Sequence, residues 1–196
     1  MKLTIEIDLP DAAEILNSGS PVPIARKGQK WSKSCLGEMC NKRGVYVIHH
    51  DGKIKYVGKT DGPNMYFGRR LRSEFREQSS RGKHNYPKLS KLKTPPEIMV
   101  HCYPVEAIEQ RVKFNGESPR LDHMVAIFEM VMIIHLAPEF QQQLIQAVSK
   151  FAQKTMKKYL GKGVDPARTL EFEAAIRDIL AKPRQKKPDK TQSSFE

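Results

Sequence analysis

From Met124 to Ile134 every side chain is apolar except Glu129. A helix without a polar face has to be covered on all sides, so this segment must lie in the core with the rest of the chain folded around it. A lone carboxylate there is expensive unless a cation or a metal answers it. Taken alone, Glu129 reads equally well as half of a structural ion pair and as a functional group. Ser118 as N-cap, Pro119 in the first turn and Pro138 beyond the end set the expected limits of the helix.

The second constraint is "GVYVIHHDGKIKYVG", Gly44 to Gly58. Two β-branched and aromatic runs flank Asp51-Gly52, a pair that easily reaches positive φ, so the stretch reads as a β-hairpin. Each strand holds a tyrosine, and each tyrosine motif includes a glycine. Elsewhere the pattern is coarser. Leu3 to Leu9 alternates like a half-buried strand, Asn17 to Cys40 is loop-rich, and "FGRRLRSEFREQ" is a basic amphipathic helix. Glu97 to Tyr103 reads as a third strand and "PVEAIEQRV" as a short helix interrupted by Asn115-Gly116. Gln141 to Leu160 and Asp165 to about Leu180 read as further helices. "KPRQKKPDKTQSSFE" has too few apolar residues to pack and is expected to be disordered.

Composition limits the partners. Lys+Arg 34 against Asp+Glu 22 leaves a formal charge of +12, which favours a polyanion. No apolar run approaches the roughly 18 residues of a membrane span. The start, MKLTIEIDLP, carries acids where a secretory leader has basic and apolar regions, and three cysteines suit a reducing compartment. A cytoplasmic protein without a membrane partner is expected. Cys35, Cys40, His101 and Cys102 are too loosely spaced to favour zinc over a structural role. His49-His50 reads as a solvated loop pair.

Gly44-Val45-Tyr46 with Tyr56-Val57-Gly58 resembles the paired signature of the GIY-YIG nuclease superfamily. Lys59 after the second motif, Arg70 in "RRLRSEF", and the acid, apolar run, proline, aromatic and amide of "FEMVMIIHLAPEFQ" follow the family's order from Gly44 to Gln141. The resemblance implies an α+β fold with a small antiparallel three-stranded central sheet flanked by helices, with N- and C-terminal additions. It implies domain limits of 1–40 for an N-terminal extension and candidate DNA-contact arm, 41–145 for the catalytic domain, 146–181 for a helical addition and 182–196 for a basic tail.

The implied activity is hydrolysis of DNA phosphodiesters, in a stand-alone chain most like restriction enzymes; a phage-type or structure-selective nuclease and a catalytically weak binding module are the alternatives. The implied catalytic residues are Tyr46, Tyr56, Lys59, Arg70 and Glu129, supported by Gly44, Gly58 and Gln141. Glu129 would hold one Mg²⁺, for which Mn²⁺ can substitute, Arg70 would clamp the phosphate, and one of the two tyrosines would activate water. Glu106 and Glu109, in an extra segment between the third strand and the Glu129 helix, are alternative ligands; the Pro138-Phe140-Gln141 ending favours Glu129. The chain departs from the family with valine in both motifs, Gln141 where asparagine is usual, and Glu74 where relatives carry tyrosine or histidine.

Double-stranded DNA is the expected partner, with a homodimer as a further candidate assembly. Contacts are expected from Arg69 and Arg72, from Lys83, His84, Lys88, Lys91 and Lys93 in the basic connection, and from Lys30 and Trp31 in "RKGQKWSK". The two tyrosines can serve one site only if they share a face. A two-residue Asp51-Gly52 turn sets Tyr46 opposite Val57 and sends the rings to opposite faces. A three-residue His50-Asp51-Gly52 loop sets Tyr46 opposite Tyr56. The chemistry therefore calls for the odd loop, or for a bulge with the same effect.

Overall fold

Positive φ at both Asp51 (52°) and Gly52 (64°) closes a two-residue turn of the type I′ kind, with His50 opposite Lys53. The structure, a computed structural model, describes residues 5–22, 33–60, 62, 64–74, 98–114, 120–143, 174–176 and 178. The hairpin strands are β3 (Gly44–His50) and β4 (Lys53–Lys59). Before them come β1 (Ile5–Ile7), α1 (Ala12–Leu16), β2 (Ser20–Val22) and a 3-10 segment, Lys33–Asn41. After them come α2 (Phe67–Glu74), β5 (Ile98–Pro104), α3 (Val105–Arg111), β6 (Val112–Phe114), α4 (Leu121–Leu136) and a 3-10 turn, Glu139–Gln141.

The fold is mixed α+β with antiparallel sheets. The main sheet has four strands in the order β2-β5-β3-β4, and β1 pairs with β6 in a separate two-stranded sheet. The sheet therefore has four strands and not the three expected from the sequence, because β2 adds an edge strand beside β5. Three residues are too few for an alternating pattern to show, and Pro21 argues against a strand unless, as here, it lies at an edge. β6 is an equally short strand directly behind α3, where the sequence suggested a helix interrupted at Asn115-Gly116; those two residues lie outside the described ones.

The register of the hairpin changes along its length. His49 pairs with Ile54, but Ile48 pairs with Tyr56, so Lys55 is an extra residue in β4. This bulge changes the parity set by the turn: Tyr46 faces Gly58 instead of Val57, and Tyr56 faces Ile48. Tyr46 and Tyr56 therefore share a face, diagonally placed. Lys55 is buried and its Nζ donates to Glu139 Oε2 at 2.6 Å.

Alternation in β3 divides the core into two layers. Tyr46 and Ile48 pack with Phe67 and Leu71 of α2 and with Leu36 and Cys40 of the 3-10 segment. Val45 and Val47 pack with Val57, Tyr103 and the apolar surface of α4, including Phe128 and Val131. β3 is consequently buried along its whole length. α4 is the covered helix that its sequence required. It starts at Leu121 with Arg120 as N-cap and no capping side chain, so Ser118 is not its cap, and Ala137 in the left-handed conformation ends it before Pro138. Among the described residues no helix is long and apolar enough to cross a membrane.

His49 and His50 are strand residues, buried, not a solvated loop, because the two-residue turn leaves both inside β3. His49 Nε2 bonds the Ser18 carbonyl at 2.9 Å, and His101 Nδ1 lies 2.7 Å from Ser18 Oγ. Burial lowers the pKa of both rings from the usual 6.5. The folded state thus binds fewer protons than the unfolded chain, so this stabilisation is full above about 6.5 and is lost as the pH falls through the folded pKa values. Thermal unfolding followed from pH 7.5 to 5 is expected to show a falling midpoint, and a His49→Gln/His101→Gln protein a flatter one. The same slope in both proteins would remove these histidines as the cause.

Candidate active site

Gly58 opens the space in which the two tyrosines meet. A Cβ at this position would lie 2.6 Å from Tyr46 Cζ and OH and 2.6 Å from Tyr56 Cε1, closer than any side chain tolerates. The ring centroids are 6.1 Å apart at an interplanar angle of 45°. Gly44 answers a different demand: its Cβ would lie 2.0 Å from the Tyr103 carbonyl oxygen of the adjacent strand. Its N–H donates to Thr60 Oγ1 at 2.8 Å, which ties the start of β3 to the end of β4. Gly58→Ala is expected to cost about 1–3 kcal/mol by overpacking, because both rings must move. A melting curve checks this; an unchanged midpoint would mean that the tyrosines shift without cost.

α2 brings Arg70 onto the tyrosine face. Arg70 Nε donates to Tyr46 OH at 3.1 Å, and Arg70 Nη2 lies 2.9 Å from Glu74 Oε1, one helical turn on. Tyr46 OH in turn donates to Glu74 Oε1 at 3.4 Å. Tyr46 is 0 % exposed and Glu74 1 %, whereas Tyr56 is half-buried. The Tyr46 pKa is raised well above 10, first by burial, then by Tyr56 and Glu74, with Arg70 opposing. Burial disfavours the charge on Arg70, but Tyr46 and Glu74 outweigh it and raise its pKa.

Lys59 and Glu129 form the other half of the arrangement. Lys59 pairs with Val45 in the sheet, so its side chain leaves on the α4 face, where Nζ donates to Glu129 Oε2. The two side chains are 17 % and 13 % exposed. Gly58 and Lys59 are consecutive, so the Tyr46–Tyr56–Arg70 group and the Lys59–Glu129 pair adjoin on opposite faces of the same end of β4. Glu129 fits a magnesium ion as a donor: it is a hard carboxylate beside a strand end, and Mg²⁺ usually takes one or two carboxylates and keeps waters. Among the described residues no cluster of three or more His, Cys, Asp or Glu is placed to hold a metal, zinc included. Glu106 is exposed and lies 4.0 Å from Lys42, and Glu109 is exposed on α3.

Gln141 supports this end of the sheet from outside. Its Oε1 accepts from the Val57 N–H at 2.7 Å and its Nε2 donates to the Val57 carbonyl at 2.9 Å, so one side chain satisfies a residue on the open edge of β4. Arg69 and Arg72 are exposed on α2, and Arg69 Nη1 donates to the Asn64 carbonyl at 3.2 Å. Lys30, Trp31, Lys83, His84, Lys88, Lys91 and Lys93 lie outside the described residues. Glu74 is the functional neighbour that the sequence motifs do not single out; its four-residue spacing from Arg70 on a helix is the signal that points to it. Compared with family models, with curated proteins and with solved structures, the chain matches none.

Proposed function

We propose that this chain is a metal-dependent DNA endonuclease of the GIY-YIG type, hydrolysing phosphodiester bonds, and that within this class it is a site-specific, restriction-like enzyme. The observation that carries the reading is the convergence of Tyr46, Tyr56 and Arg70 over Gly58, made possible by the bulge at Lys55. Burying a bulged lysine and forgoing a side chain at Gly58 brings two tyrosine rings together beside a guanidinium that bonds the Tyr46 hydroxyl, an arrangement suited to a tetrahedral anion. On this reading β3, β4 and β5 with α2 and α4 are the core of the family, and β2 is an added strand.

The DNA phosphate would lie across the Gly58–Lys59 end of β4. Arg70, whose Nε is held by Tyr46, donates to the non-bridging oxygens and stabilises the charge that develops on them. Lys59 supplies a second positive charge from the other face. One of the two tyrosines, as its phenolate, orients the attacking water and takes up its proton, becoming a phenol. Glu129 would hold the Mg²⁺, which supplies Lewis-acid polarisation of the phosphate and stabilises the leaving oxygen. The exposed Arg69 and Arg72 would contact neighbouring phosphates.

One observation favours a second reading. Glu129 already has a cation, Lys59, so a DNA-binding module of the same fold could keep this pair in place of a metal. Incubation with plasmid and branched DNA, with Mg²⁺ or with chelator, separates the possibilities. Discrete Mg²⁺-dependent plasmid bands support the site-specific nuclease, cutting confined to branched DNA supports a structure-selective one, and shifted but intact DNA supports the binding module.

A further inference from the structure

Glu74 is the buried acid that the proposed chemistry has not used. It sits in a helix turn facing the sheet, it is 1 % exposed, and its Oε1 meets both Arg70 Nη2 at 2.9 Å and Tyr46 OH at 3.4 Å. A carboxylate so placed constrains its neighbours in two ways. It fixes the guanidinium from one side while Tyr46 OH fixes Nε from another, so Arg70 is oriented by two partners. It also accepts a hydrogen bond from the Tyr46 phenol inside a desolvated cluster, where a phenolate beside a carboxylate would set two like charges together. We infer that Glu74 is a positioning residue that aims Arg70 and keeps Tyr46 protonated, which leaves Tyr56 as the tyrosine that takes the proton from the attacking water.

The inference rests on the nuclease reading and makes the two tyrosines unequal. Tyr46 is fully buried and serves as an anchor, whereas Tyr56 is only half-buried and keeps part of its surface in solvent. In the step itself the ionised Tyr56 oxygen takes a proton from water and becomes a phenol. The water oxygen bonds to phosphorus, the opposite P–O ester bond breaks, and the leaving oxygen is protonated by solvent. The titratable groups that face Tyr46 are Arg70 and Glu74 from α2, Tyr56 from β4, Cys102 opposite it on β5, and Cys40 from the 3-10 segment in the same apolar layer. The Glu74 carboxylate lies directly against the Tyr46 hydroxyl and opposes its ionisation, so removing Glu74 should ease that ionisation.

Two measurements test this. Ultraviolet titration of tyrosinate, within the pH range where circular dichroism remains native, is expected to show one tyrosine of Glu74→Gln ionising at lower pH than in the wild type. The shift should vanish in Glu74→Gln/Tyr46→Phe. A titration of Glu74→Gln identical to that of the wild type overturns the positioning role without any reference to cleavage. Single-turnover cleavage of plasmid with Mg²⁺ tests the rest. Tyr56→Phe should lose about a hundredfold, the usual scale of a general base. It should also lose the rise of rate with pH, whereas Tyr46→Phe should lose about tenfold and keep the rise, the share expected of one hydrogen bond to a charged group. If Tyr46→Phe is the variant that loses the pH dependence, the assignment of Tyr56 is overturned. If the wild type cuts no DNA, the nuclease reading falls and takes the Tyr56 assignment with it, while the Glu74 role is still decided by the titration.

Discussion

Glu129→Gln is expected to lower DNA cleavage by at least about a thousandfold, because metal stabilisation of transition-state charge is worth several kcal/mol and each 1.4 kcal/mol is about tenfold in rate. DNA affinity should remain near that of the wild type, since the side chain lies on α4 behind the strand end and bears the wrong charge for a phosphate contact. The amide retains an oxygen that can accept from Lys59 Nζ, so the ion pair becomes a neutral hydrogen bond and the helix keeps its packing. Plasmid cleavage and a gel-shift assay on the same preparation check both halves. Full activity in this variant, with loss in Glu106→Gln or Glu109→Gln, would move the metal to α3. That outcome would be hard to reconcile with the exposed positions of those two acids.

The second large effect is expected at Arg70. Arg70→Ala should slow cleavage by about a thousandfold, the cost of losing a preorganised donor aimed at developing charge. It should also destabilise the fold by about 3–5 kcal/mol, because it strips the buried Glu74 carboxylate of its cation. The two losses are separated by Arg70→Lys, which keeps a charge near Glu74 but lacks the planar fork needed to reach Tyr46, Glu74 and a phosphate together. Its stability should recover in large part and its rate should not. Arg69→Ala, at an exposed position, should weaken DNA binding and leave turnover of bound DNA unchanged. Equal losses of turnover at both arginines would show that the guanidinium held by Tyr46 and Glu74 has no special part in the reaction.

Much of the fold is legible in local chemistry. The apolar run from Met124 to Ile134 could only be a covered helix, and Phe128, Met130, Val131 and Met132 are indeed fully buried. Asp51-Gly52 announced its turn because few residue pairs accept positive φ twice in succession. The expected third strand and the short helix behind it correspond to β5 and α3 within about a residue at the described ends. The short strands β2 and β6 were not legible, since three residues carry no period and their pairing partners, β5 and β1, lie far away along the chain.

The residue types of the candidate site belong to the sequence alone: two tyrosines each beside a glycine, an arginine on a basic helix, an acid in an apolar one, and an amide after Pro138. Their grouping does not. Turn preference by itself sends Tyr46 and Tyr56 to opposite faces. It is the extra residue at Lys55 that reverses this, and Lys55 can be accommodated because Glu139, 84 positions on, receives its ammonium. Gln141 then holds Val57 in the shifted register from the open edge of the strand. In the same way a glutamate four residues after an arginine looks like an ordinary surface pair until α2 packs against the sheet and buries it. Local preference is set by short-range sterics, whereas the parity of a strand and the burial of a charge depend on partners that only the folded chain brings near.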